Sequence, residues 1–189
     1  MRRIMHLIRN IFLLTFFLPA VAFADDKFIA KAAVVDVESI LEHSLAIAEI
    51  KKSINIISDR IQGELSAKES DLKIIEAELI QKQGTLSEEE FNSMVAAFNK
   101  KVSATQHEMQ YRKSALEQAH SAALAEVYQN TTVVISELSK KYGFNIVFPS
   151  AQVLFIENDL NITLEVITLL NERLKTVEVK YNVEAGNQQ

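Results

Sequence analysis

The chain has 189 residues, 48% of them apolar, with no cysteine and no tryptophan. That apolar share excludes a disordered chain, and the missing cysteine excludes a disulfide scaffold, a zinc knuckle and a thiol nucleophile. The formal charge is −5; setting aside the first 24 residues leaves 17 basic against 25 acidic side chains, without the basic footprint a nucleic-acid binder uses to neutralise phosphates.

Residues 1–24 read as a cleavable export signal. Arg2, Arg3 and Arg9 precede the short apolar run Ile11 to Leu18. Pro19 then breaks it, and Ala22-Phe23-Ala24 matches a small-x-small cleavage site, with Ala20-Val21-Ala22 as a second candidate. The run is far shorter than the roughly 20 residues that span a bilayer. The expected mature start is Asp25, and the expected location is the periplasm.

Residues 25–44 begin a small β-containing body. Phe28 to Val37, centred on Ala33-Val34-Val35, is predicted as a strand. Asp36 can cap a following helix, with Ser39 as the competing cap. Ser44 is placed to restart the helix after a bend.

Residues 45–141 form an arm of two long helices joined by a turn at 83–87. The stretch has no proline, and its only glycines are Gly63 and Gly84. From Ile50 the first helix carries a seam through Ile54, Ile57, Ile61, Leu65, Lys68, Leu72, Ile75 and Leu79. Its spacing is that of a coiled-coil heptad with one extra four-residue step between Ile61 and Leu65, at Gly63. A local unwinding or bend is expected there.

Gly84 suits a left-handed end to the first helix. Ser87-Glu88-Glu89-Glu90 is a capping box opening the second. The second seam runs Phe91, Val95, Phe98, Val102, Thr105, Met109, Arg112, Leu116, Ala119, Ala123, then shifts to Leu124, Val127, Thr131, Val134 and Leu138. Folding about Gly84 brings Leu79 to Glu90 and Ile54 to Ala115, so the seams face each other in an antiparallel hairpin. Lys68, Thr105 and Arg112 interrupt the seams. They read as snorkelling side chains or as a device that loosens the arm.

Residues 142–175 return to the body. Lys140-Lys141-Tyr142-Gly143 ends the long helix. Phe144 to Phe148 is predicted as a strand, Pro149 to Gln152 as a turn, and Val153 to Ile156 as a second strand closing a hairpin. Ile162 to Lys175 is the last helix, and 176–189 is a polar, flexible tail.

One strand plus a hairpin cannot cover both faces of a sheet. Val34, Val35, Val37, Ile146, Phe148, Val153 and Phe155 are therefore expected to build a body shared between copies. The fold class is mostly α with a small β-body: a long antiparallel coiled-coil hairpin on a β-strand oligomerisation base.

A second, sparser apolar set lies off the seams. Leu45, Ile56, Ala67 and Ile74 fall on the face opposite the first seam, and Ile80, Leu86, Met94 and Tyr111 lie off it in the distal half. These are scattered surface apolars or a broad, weakly specific contact surface. His43, His107 and His120 have no partner at metal or triad spacing, and no phosphate loop, G-x-S-x-G or H-E-x-x-H occurs. No enzyme activity and no cofactor are expected.

The strand, the arm, the return Tyr142-Gly143-Phe144-Asn145-Ile146-Val147 and the closing Asn161-Ile162-Thr163-Leu164-Glu165-Val166 come in an order that resembles the Skp/OmpH family of periplasmic chaperones. The resemblance covers nearly the whole mature chain. It implies a homotrimer whose strands form a shared body. Three hairpins then enclose a cavity that holds unfolded outer-membrane β-barrel proteins without ATP, with transient contact to the membrane surface. One departure concerns charge. Members of the family have basic arms, whereas Lys51 to Glu126 carries 10 basic and 12 acidic residues here. Steering by a positive arm is therefore not part of the expectation. The competing reading from the residues is a structural adaptor whose hairpin docks on another helical assembly.

Overall fold

The computed structural model describes residues 29–182. The expected export signal and its expected cleavage site lie outside the described residues. No helix among those described is long and apolar enough to cross a membrane.

The chain enters through β1 (Ala32–Val35) and turns at once into α1 (Val37–His43). Asp36 makes that turn: its Oδ1 accepts the Ser39 N–H at 3.0 Å, which satisfies one orphan donor of the first helical turn. The strand is therefore shorter than Phe28–Val37, and Val37 is an exposed residue opening a helix, not part of a sheet.

Ser44 is both the end of α1 and the N-cap of α2 (Leu45–Lys82). The two helices are held at their junction by Asn171 from the last helix. Its Oδ1 accepts the Leu45 N–H at 2.8 Å, and its Nδ2 donates to the His43 carbonyl at 3.0 Å.

The arm is α2 followed by α3 (Glu88–Tyr142), 38 and 55 residues long, or about 57 and 82 Å at 1.5 Å per residue. Every seam residue of α2 from Ile50 to Leu79 is buried or half-buried, and so are those of α3 apart from Met109. α2 runs unbroken through Gly63, so the heptad stutter is absorbed without interrupting the helix.

At the tip Gly84 has φ +82°, and Ser87 and Glu90 exchange both capping-box hydrogen bonds. Those Ser87 contacts, from its hydroxyl and then its backbone N–H, hold the Glu90 carboxyl below its usual range. At the root Gly143 ends α3 with φ +75° after Lys140 and Lys141.

The chain re-enters the body as β2 (Ile146–Pro149), which pairs with β1 in parallel, Ala32 opposite Ile146 and Val35 opposite Pro149. Parallel neighbours need a long crossover, and here the crossover is the whole arm. Asn145 zips the entry: its side chain accepts the Lys31 N–H and donates to the Ile29 carbonyl, both at 3.0 Å. The expected hairpin of Phe144–Phe148 with Val153–Ile156 does not form. Ser150–Gln152 is a single 3-10 turn, and residues 153–157 have no partner strand. The other edge of β1 is taken by Asn161, with the Ile162 N–H donating to the Val34 carbonyl at 3.0 Å.

Helix α4 (Thr163–Arg173) closes the body. Its Val166 and Leu170 are fully buried with Ile50, Val127, Val134 and Leu138, and Arg173 forms a two-pronged pair with Glu137 of α3. The core therefore sits where the arm's root meets β1 and α4. Beyond α4 the expected flexible tail differs from the structure as far as it is described. Residues 176–182 turn back onto the arm, with Val177 6% exposed.

Candidate functional site

Among the described residues no group of His, Cys, Asp or Glu is arranged to hold a metal ion. The histidine with a resolved contact, His43, bonds only to Ser39 of its own helix, through Nδ1 to the backbone carbonyl at 2.9 Å. What remains is shape, exposed apolar surface and one charge cluster.

Leu45, Ile56, Ala67 and Ile74 are all exposed on α2. At about 100° per residue they fall within roughly 40° of one line along the helix. Gly63 lies on the same line, with open space where a Cβ would be. Ile80 is 67% exposed near the tip, and Tyr111 is exposed on α3. Leu86 and Met94 are half-buried in the turn region and the start of α3. The eight therefore do not form one patch. Four make a stripe on α2, and the rest are spread over the distal half.

The body has its own exposed apolar surface. Of the seven residues expected to build it, Val34 and Val35 are buried within this chain. Ile146 and Phe148 alternate outward along β2, each 40% exposed, and Val153 is half-buried. Phe155 is 78% exposed and its neighbour Leu154 fully so. Among the described residues the edge of β2 away from β1 is unpaired. A short, open, apolar strand edge is a template for pairing with another chain.

Sequence reasoning missed the middle of the arm. Lys68 and Arg112 do not simply snorkel. Lys68 Nζ bonds Glu108, Arg112 Nε bonds Glu108 Oε1 at 2.9 Å, and Arg112 also pairs with Glu64. The hydrogen bond from Lys68, with Arg112 adding to it, draws the Glu108 carboxyl below its usual range despite some burial. Four charges thus tie the two helices together at the level of the stutter. Side chains lean toward the N-terminus of their own helix. In an antiparallel pair, Lys68 therefore leans toward the body and Glu108 toward the tip, and they meet across a longer register offset than a simple fold about Gly84 gives.

The second missed feature is the tail. Tyr181 lies beside this same cluster, its ring under the Arg60 guanidinium at 5.9 Å.

Comparison with known proteins bears on the whole arrangement. The profile of the family described as outer membrane protein (OmpH-like) matches residues 31–170. The structure resembles a crystal structure of a proposed outer membrane chaperone (OmpH-like) from Caulobacter crescentus. The TM-score is 0.72 at 20% sequence identity, covering 79% of this chain and 89% of that one. No curated protein sequence matches the chain.

Proposed function

This chain belongs to the OmpH-like family of outer membrane proteins, and from that membership we propose that it is an ATP-independent periplasmic holdase for unfolded outer-membrane β-barrel proteins. The observation that carries the reading is the arm itself. A hairpin whose longer helix runs about 80 Å stands on a small body and keeps a stripe of apolar residues, Leu45, Ile56, Ala67 and Ile74, on the side its partner helix does not cover. A long, weakly specific apolar surface suits a chaperone that must hold many sequences.

The body supports self-association. A two-stranded parallel sheet is too small to stand alone, and the open β2 edge beside Phe148, Leu154 and Phe155 is where other copies would add. A trimer would place three arms around one cavity. The near balance of charge on the arm, 10 basic against 12 acidic residues from Lys51 to Glu126, means clients are held by apolar contact more than by charge.

The test combines mass with activity. The protein lacking residues 1–24 is expected to scatter light as a trimer and to suppress aggregation of a β-barrel protein diluted from urea. Phe148→Asp puts an unpaired charge at the inter-copy edge and is expected to give monomers that lose most of the suppression. A wild-type protein that leaves aggregation unchanged would overturn the reading. Tight binding to one folded partner, with no binding across a panel of unfolded clients, would assign the adaptor role instead.

A further inference from the structure

The tail beyond α4 lies outside the family match, which ends at residue 170, and among the described residues it is a stretch of non-helical chain laid against the arm. Its burial alternates residue by residue. Val177 is buried, Glu178 exposed, Val179 half-buried, Lys180 exposed, Tyr181 half-buried and Asn182 exposed. That is the period of a strand with one face covered. Val177 joins the buried cluster that contains Ile50, Ala123 and Val127, and Val179 packs against the same cluster. Seven residues from Leu174 span at most about 23 Å, and with a bend at Lys175 and a tight turn at Val179–Tyr181 the tail still brings Tyr181 up the arm to Arg60.

The tail is held by side chains. Among the described residues no backbone hydrogen bond joins 175–182 to α2 or α3. The one such bond of the far end is local, from the Tyr181 N–H to the Val179 carbonyl at 3.0 Å. The Tyr181 hydroxyl is buried with no partner in good hydrogen-bond geometry, although the Arg112 side chain is near enough to act on it. A buried hydroxyl left unpaired weakens the contact that buries it. The groove therefore accepts an extended segment by its alternate apolar side chains while gripping this one loosely at its outer end.

We infer that the groove along the root of the arm is a binding site for extended, alternately apolar chain, and that the tail 175–182 is a built-in occupant which an unfolded client displaces. This rests on the holdase reading and names its substrate chemistry. Strands of a membrane β-barrel alternate apolar and polar side chains with the same period of two. The Val-Glu-Val-Lys-Tyr run of the tail presents that pattern in miniature. An intramolecular occupant lowers the apparent affinity of any competitor by the fraction of time the groove is free. The tail thus sets a threshold that short or poorly patterned segments do not pass.

The experiment uses the full chain and a fluorescent peptide of residues 175–182. In the triple variant Val177→Ser, Val179→Ser, Tyr181→Ser the groove is vacated, and the peptide should bind about ten-fold more tightly than to wild type, as release of an occupied site requires. A urea-unfolded β-barrel protein should displace it. A peptide of the same composition with its apolar residues made adjacent should bind about ten-fold more weakly, because only one face of an extended chain meets the groove. Circular dichroism checks that the variant keeps its helix content. If it does not, Tyr181→Ser alone, at the outer end, is expected to give a smaller gain in the same direction. Equal peptide affinity for wild type and a folded variant, or equal affinity for the rearranged peptide, overturns the inference. If wild type suppresses aggregation but the client leaves the peptide bound, the inference fails and the holdase reading stands. If wild type suppresses nothing, the holdase reading fails and takes the inference with it.

Discussion

The arm and the body solve opposite packing problems with one chain. The arm is stabilised by repetition: a heptad seam whose members are mostly half-buried, each adding a little, with a capped turn at one end and four charges clasped midway. The body is stabilised by convergence. β1, α1, the arm's root and α4 bring a few side chains to near-zero exposure, and Asn171, Asn145 and Thr163 spend their hydrogen bonds on backbone far away in sequence. A half-buried seam tolerates local loosening. A converged core does not.

The sharpest way to break that comparison is to cut the same kind of side chain in each region. Leu170 is fully buried, and Leu170→Ala leaves a cavity that packing cannot close, at a cost of about 2–5 kcal/mol. Ile57 is half-buried on the seam, and Ile57→Ala should cost less, about 1–2 kcal/mol, since part of its side chain already lies in water and the gap it leaves opens to solvent. Urea unfolding followed by far-ultraviolet circular dichroism checks both. Equal losses would mean the arm is as tightly packed as the body.

The same contrast decides what was legible in the sequence. The arm's elements depend on neighbours three and four residues away, so Ser87, Glu90, Gly84 and the seam from Ile50 to Leu79 could be read directly. The body depends on pairings more than 100 residues apart. The run Val153 to Ile156 has strand-like residues but does not fold back on the open edge of β2, because a 3-10 turn at Ser150–Gln152 follows β2 where a hairpin turn was expected. Val37 looked like a strand residue and became helix because Asp36 capped it. Among site residues, the Glu108–Arg112 half of the cluster was there to be read at i, i+4 on one helix, whereas Lys68 and Glu64 were hidden because they come from the other helix, offset by the lean of long side chains. Tyr181 was hidden because a polar sequence gave no sign of what it would lie against. Its one signal was the alternation Val177, Val179, Tyr181.

A second test probes the hinge between the regions. Gly143 ends α3 at φ +75°, and a Cβ there would meet nothing closer than the Lys31 ammonium at 4.0 Å. Gly143→Ala therefore costs only the left-handed backbone strain, about 1–2 kcal/mol. The loss is expected in the body, where β2 must enter in register with β1, and the tip should be unaffected. Hydrogen exchange resolved by peptide would show faster exchange at 144–149 and unchanged exchange at 75–95.

The smallest expected effect is the most specific to the arm. Glu108 is held below its usual range chiefly by its hydrogen bond to Lys68. A carboxylate with a lowered folded pKa contributes stability that is present above its unfolded value of about 4.3 and lost as pH falls through the folded one. The cluster is partly open to solvent, so its contribution stays below about 1 kcal/mol. Arm amides near Lys68 and Arg112 should therefore exchange somewhat faster at pH 3 than at pH 6, after correction for intrinsic rates, while the core around Leu170 changes less. Glu90 at the tip titrates in the same direction, so acid alone does not isolate the clasp. Glu108→Gln does: it keeps the side chain's size and removes its charge. The mid-arm acid response should shrink in this variant while the response at the tip persists. An unchanged mid-arm response would mean that the seam, not the clasp, holds the helices together beside Gly63, and the arm would then be uniform from root to tip.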